Sequence, residues 1–229
     1  NDLRFFEFGK TYATTGSAQY SEPGHLCLYI TGKNREESWR NKPTAADFYV
    51  LKGIVAKILQ MLGVTVDSFE ALQHPKFERG LLGKIKEEPV LQTGIVNKKT
   101  LARFDIKQPV FFADLNWDLL SKIAADNKPA FKPIAKFPAV QRDLALIVSN
   151  QLAYEEVEKM IQKMNLKKLQ AVKLFDIFES EKLGTGKKSM AVNFTFLDEE
   201  KTLTDQEIDG WMTKIMSTLE KDLQAEIRK

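Results

Sequence analysis

Lys188-Ser189-Met190-Ala191-Val192-Asn193-Phe194-Thr195-Phe196-Leu197 alternates, with Met190, Val192, Phe194 and Phe196 on one side. That period of two predicts a strand with one face in a core. Gly184-Thr185-Gly186 supplies the turn before it, and residues 170–178 read as its partner strand. Further upstream, Val157, Met160, Ile161 and Met164 recur at helical spacing, and residues 142–149 alternate again through Leu144, Leu146 and Val148. Downstream, Thr204 and Glu207 stand at capping-box spacing. They open a helix carrying Ile208, Trp211, Met212, Ile215 and Leu219, after which residues 225–228 suit a short last strand. The resulting order, βαββαβ, is the split βαβ arrangement of ferredoxin-like domains. Two helices cover one face of such a sheet and leave the other free to bind.

Upstream of this domain, Asn127-Lys128-Pro129-Ala130-Phe131-Lys132-Pro133 carries two prolines and no apolar periodicity, so it sustains neither a helix nor a central strand. A boundary there gives domains 1–130 and 131–229. The first domain mixes strands at residues 3–8, 25–31, 91–96 and 110–115 with one clear helix. In that helix Phe48, Leu51, Val55, Ile58, Leu59 and Leu62 share a face, and Gly63 marks its end. A shorter helix is expected over residues 117–125. This order suits a mostly antiparallel sheet with helices on one side, making the whole chain α+β.

The 229 residues accommodate two such domains. With 43% hydrophobic and 28% charged residues, the composition excludes a disordered or fibrous chain. No run approaches the ~20 apolar residues that a membrane-spanning helix needs, and no charged-then-apolar leader precedes the first strand. A soluble, cytoplasmic protein is therefore expected. The sole cysteine, Cys27, excludes an internal disulfide and is expected in the core, since it sits in the apolar run Leu26-Cys27-Leu28-Tyr29-Ile30. With only His25 and His74 beside it, a His/Cys metal centre lacks ligands.

Net charge is only +3, too small to announce nucleic-acid binding. Its distribution says more. Residues 159–188 hold eight lysines against Asp176, Glu179 and Glu181, whereas residues 189–229 hold five basic and nine acidic residues. A basic patch beside an acidic one results, which a solvated surface also explains.

Catalytic motifs fail on inspection. Gly184-Thr185-Gly186-Lys187-Lys188-Ser189 resembles the end of a phosphate-binding loop, but Glu181 and Lys188 occupy positions needing Gly and Ser or Thr. The pairs Glu36-Glu37, Glu87-Glu88 and Glu199-Glu200 lie in polar surroundings that solvation explains. Neither histidine has a partner by spacing. Asp176-Ile177-Phe178 is different, because alternation sets Asp176 and Phe178 on one side of a strand end among lysines. Such a ring can stack on an unpaired base while the carboxylate accepts from a base-edge N–H. The other reading makes Phe178 core and Asp176 a turn residue.

Residues 137–146, Phe137-Pro138-Ala139-Val140-Gln141-Arg142-Asp143-Leu144-Ala145-Leu146, begin a set of four motifs. The others are Leu174-Phe175-Asp176-Ile177-Phe178, Gly186-Lys187-Lys188-Ser189 and Thr202-Leu203-Thr204-Asp205. In order and spacing they resemble the C-terminal ferredoxin-like anticodon-binding domain of bacterial phenylalanine–tRNA ligase beta chains. The first domain resembles the one preceding it there, a class-II-synthetase-like domain. Leu3-Arg4-Phe5-Phe6-Glu7-Phe8-Gly9-Lys10 and Asp47-Phe48-Tyr49-Val50-Leu51-Lys52-Gly53 carry that likeness. The resemblance covers nearly the whole chain and implies the C-terminal part of a beta chain several times longer.

What the resemblance implies is an aminoacyl-tRNA synthetase of two alpha and two beta chains that joins phenylalanine to tRNA(Phe) using ATP and Mg²⁺. Its chemistry belongs to the alpha chain, so this region is expected to be non-catalytic, with no cofactor or metal of its own and no contact with membrane or DNA. In agreement, Arg4-Phe5-Phe6-Glu7 is not followed by a Gly-rich, arginine-ending third motif. The family's Asp-x-Tyr, which contacts the first anticodon base, maps onto Asp176 and Phe178, the latter without the hydroxyl. Lys187, Lys188 and Ser189 follow the family's Lys/Ser-rich turn and are expected at the tRNA backbone, with Arg142 as a further candidate. Two rivals stand beside this reading. One is a general RNA-recognition module, although residues 188–194 lack its Gly-aromatic signature. The other is a protein-assembly domain without RNA contact.

Overall fold

The structure, a computed structural model, describes residues 2–16, 19–127, 131, 133–180 and 183–228. The chain divides into two compact units, Asn1–Phe131 and Lys132–Lys229. Lys128, Pro129, Ala130 and Lys132 of the expected boundary, and Glu181, lie outside the described residues.

In the first unit the order is β1 (Leu3–Lys10), β2 (Ala13–Gly16), β3 (Gln19–Ser21), β4 (Gly24–Thr31), α1 (Phe48–Met61), β5 (Ser68–Leu72), β6 (Phe77–Ile85), β7 (Glu88–Val96), α2 (Lys98–Arg103), β8 (Val110–Asn116) and α3 (Trp117–Ala125). Six strands form one antiparallel sheet in the order β1-β4-β8-β7-β6-β5, and β2 pairs with β3 in a separate ribbon. Asp47 caps α1 by accepting from the Val50 N–H at 2.9 Å, and Gly63 follows with φ +66°. The helix buries Leu51, Val55 and Leu59 against Leu26, Leu28, Ile30, Leu91 and Leu115 of the sheet, which also receives Leu120 of α3.

Five elements here escape sequence reading: the short strands β2 and β3, and also β5, β6 and α2. β6 reads Phe-Glu-Arg-Gly-Leu-Leu-Gly-Lys-Ile, without clean alternation, and its pairing with β7 shifts register near Arg79. Gly94 of β7 lies against it so closely that a Cβ would stand 2.2 Å from the Arg79 carbonyl oxygen. Among the described residues β5 pairs only with β6, and α2, at six residues, is too short to show a helical period.

Two expectations about side chains are corrected. Cys27 is half-buried on the sheet face away from α1 rather than in the core. Burial first, then the carboxylates of Asp114 and Glu7, push its thiol up to about 11, so it is unreactive. His25 does have partners: its Nδ1 lies 2.7 Å from Asp114 and its Nε2 3.0 Å from the Thr11 hydroxyl.

The second unit runs β9 (Val140–Ser149), α4 (Tyr154–Lys163), β10 (Leu169–Glu179), β11 (Lys187–Phe196), α5 (Asp205–Leu223) and β12 (Glu226–Arg228). Its antiparallel sheet has the order β10-β11-β9-β12. Gly184 and Gly186, at φ +99° and +75°, make the turn into β11. Leu144, Leu146 and Val148 of β9 join Met190, Val192, Phe194 and Phe196 of β11 beneath Val157 and Ile161 of α4 and Ile208, Ile215 and Leu219 of α5. Thr204 and Glu207 form the expected capping box at the start of α5. No helix among the described residues is long and apolar enough to cross a membrane.

Candidate nucleic-acid interface

Both helices pack on one face of the second sheet, so the side chains that alternate with the core residues occupy the other, open face. Residues opposite one another in antiparallel strands share a face, and the register therefore sorts every candidate. Asp176 stands opposite Ala191 and Phe178 opposite Ser189, whereas Ile177 stands opposite the buried Met190. Asp176 and Phe178 accordingly lie together on the open face. Phe178 is 51% exposed and belongs to neither core cluster, which excludes the reading that made it core.

A β-bulge produces this facing. Leu174 pairs with Val192 and packs in the core, yet Asp176, two residues on, pairs with Ala191. Phe175 is the extra residue, and it is 59% exposed. A bulge of this kind sets two residues against one and changes the strand's phase. Asp176 is thereby flanked by two exposed rings, neither of which contacts another ring among the described residues. The sequence signal for Phe175 is only its presence in the Leu-Phe-Asp-Ile-Phe run, since a bulge is invisible without the partner strand.

The expected basic contacts divide between the faces. Lys187 and Ser189 are on the open side, but Ser189 is only 6% exposed and forms floor beneath Phe178 rather than a reaching group. Lys187 pairs with Glu226 of β12 at 3.2 Å. Lys188 alternates to the helix side, where its ammonium donates to the Asn150 carbonyl at 2.8 Å. Arg142 also lies on the helix side and pairs with Asp205, the first residue of α5, at 2.7 Å. The structure thus brings Asp176, Phe178, Lys187 and Ser189 to one face and sets Lys188 and Arg142 on the other. On the open face Asn193 donates to Asp143 at 2.6 Å, tying β11 to β9.

This surface has a stacking ring, a carboxylate acceptor and a small-residue floor, and it can hold a flat heteroaromatic group with N–H donors on its edge. Nothing in it resembles a nucleophile with a base. Among the described residues no group of three or more His, Cys, Asp or Glu side chains is placed to hold a metal ion.

Comparison with known proteins gives two family matches. Residues 1–117 match the phenylalanyl tRNA synthetase beta chain CLM domain, and residues 135–228 match the ferredoxin-fold anticodon binding domain. Among curated relatives, the phenylalanine–tRNA ligase beta subunit of Bacteroides fragilis is 39% identical over 99% of this chain and 29% of its own length. The beta subunits of Porphyromonas gingivalis and Streptococcus pneumoniae are 33% and 35% identical, with the same shares covered. The chain therefore spans about 29% of the length of the curated relatives it matches. A solved pyrrolysyl-tRNA synthetase from Desulfitobacterium hafniense aligns over 54% of this chain and 42% of its own, at 15% identity and a TM-score of 0.38, too loosely to build on.

Proposed function

The chain belongs to the phenylalanyl-tRNA synthetase beta chain family, and from that premise we propose that it serves phenylalanine attachment to tRNA(Phe) without performing the chemistry. Its second unit reads the anticodon. Its first unit supports the catalytic alpha chain of an alpha2beta2 assembly in the cytoplasm. The observation that carries the first part is Asp176 beside the exposed ring of Phe178 on the helix-free face. Phe178 stacks on the first anticodon base, worth about 1–3 kcal/mol, and the Asp176 carboxylate accepts from that base's N–H edge. Phe178 supplies the stacking face of the family's Tyr without its hydroxyl, so discrimination rests on the carboxylate.

Support for the second part comes from β1. It is an edge strand of the first sheet, all eight of its residues are exposed, and Phe5, Phe6 and Phe8 are among them. An exposed apolar edge of this kind suits a protein partner.

The test of anticodon reading is fluorescence anisotropy with a labelled anticodon stem-loop carrying GAA and a second loop changed at the first base. The chain is expected to prefer GAA, and Asp176→Ala with Phe178→Ala is expected to abolish that preference. Equal binding of both loops by the unmodified chain would reduce the face to a phosphate-holding surface.

A further inference from the structure

The helix side of the first sheet is not fully covered. α1 lies against β8, and beside it β6 and β7 floor a groove with Leu81, Leu91 and Thr93. Leu81 pairs with Thr93, so the register sets both on the face that carries the buried Leu91. α1 supplies one wall through Val55, Ala56 and Leu59, which stand three and four residues apart on one side of the helix. Residues 63–66 and Phe69 of β5 line the rest. The groove encloses about 490 Å³, within the roughly 300–1,000 Å³ of small-molecule pockets.

Its charge says as much as its volume. Lys52 of α1 is the only charged side chain lining it, and its ammonium stands 5.4 Å from the centre of the Phe69 ring. That holds a cation at the groove's edge, over an aromatic face. No carboxylate engages Lys52 among the described residues. Glu70, the next residue of β5, is taken by Lys84 at 2.7 Å. The Gln60 side-chain carbonyl accepts from Lys57 at 3.3 Å, and the Thr93 hydroxyl donates to the Phe112 carbonyl at 3.1 Å. An apolar lining with an aromatic ring, one uncommitted ammonium and no anion is the result.

We infer that this groove binds a small aromatic carboxylate, with the ligand's ring among Leu59, Leu91 and Phe69 and its carboxylate at Lys52. The site lies wholly in the first unit and is independent of anticodon reading. Burial of the ring supplies the affinity, and the ammonium fixes the orientation. A ligand that also carries an ammonium finds no acceptor in the lining and is repelled by Lys52. The groove therefore discriminates against free amino acids, phenylalanine included, although they share the ring and the carboxylate.

The experiment follows the chain's backbone amides by nitrogen–proton correlation spectra during titration with three probes. Hydrocinnamate carries the ring and the carboxylate, phenylalanine adds only an ammonium, and hydrocinnamyl alcohol removes the charge. Hydrocinnamate is expected to shift the amides of Leu59, Val64, Phe69 and Thr93 saturably and to bind more tightly than either analogue. Lys52→Gln is expected to weaken hydrocinnamate roughly fivefold, the upper end for an ion pair open to solvent on one side, and to leave the alcohol unchanged. Lys52→Arg should retain the carboxylate preference. Ala56→Trp, which fills the groove from its exposed wall, should abolish binding of all three probes. Lys52 is exposed as well, so its variants keep the fold and decide the matter even where Ala56→Trp does not. Absence of saturable shifts at these amides would overturn the proposal, as would an unchanged affinity in Lys52→Gln. Equal binding of the alcohol would make the groove a seat for any apolar segment, and equal binding of phenylalanine would remove the discrimination; either result overturns it. Shifts of the same amides on raising the chain's own concentration would make a second copy the occupant and overturn it too.

Discussion

Glu207 accepts from the Lys201 ammonium at 2.5 Å and from the Thr204 N–H and hydroxyl at 3.0 and 2.9 Å. These donors, Lys201 foremost, favour the ionised form and pull the carboxyl from its ordinary 4.5 down to about 2. Because the folded value lies below the unfolded one, the resulting stability is complete above about 4.5 and is lost as the pH falls toward about 2. Glu207→Gln should therefore lower the thermal midpoint at neutral pH and flatten its decline across that acid window. Asp198, held low first by Lys168 at 2.8 Å, keeps part of the decline in place. An acid limb as steep as that of the unmodified chain would refute the assignment. The Thr204–Glu207 pair was legible in the sequence because its partners lie within one helical turn. His25 was not, since Asp114 lies 89 residues away and meets it only when β4 pairs with β8. The same holds for the cations of the second unit: their number is plain in the sequence, but Arg142 finds Asp205 across 63 residues and Lys187 finds Glu226 across 39.

Within β10, strict alternation counted from Leu174 would put Leu174, Asp176 and Phe178 on one side. Leu174 packs in the core, so a regular strand would have buried Phe178 with it. The extra residue Phe175 shifts the phase and turns Asp176 and Phe178 outward. Deleting Phe175 should leave the pairing of Asp176 with Ala191 and of Phe178 with Ser189 intact, because it removes only the residue without a partner of its own. The expected result is a shortened strand with a near-native melt and a retained preference for the GAA loop. Deleting Ile177 instead should carry Phe178 to the helix side and erase the preference. Loss of the preference on deleting Phe175, or its survival on deleting Ile177, would contradict this account of the bulge. Elements with strong periods, such as α1, α3, α5 and β11, were readable from sequence because each contains its own signal. β6 and the bulge were not, because both are defined by a neighbouring strand.

The chain as a whole follows the same rule. The order βαββαβ implied the arrangement of the second sheet, because the split βαβ topology leaves few alternatives. The first sheet, β1-β4-β8-β7-β6-β5, depends on the pairing of β4 with β8 across most of the unit, and only its class could be read. One feature of that sheet governs the chain's behaviour in bulk. β1 pairs on one side only and displays Phe5, Phe6 and Phe8, with Arg4, Glu7 and Lys10 as its charges. Natural edge strands are usually blunted more heavily. Sedimentation should reveal species larger than one chain as concentration rises, and Phe6→Lys should raise the concentration at which they form. Sedimentation independent of concentration would contradict this. The same strand also sets a limit on storage. A chain left at high concentration with β1 uncovered therefore loses soluble material to self-association, which sets an upper limit on the concentration at which it stays dispersed.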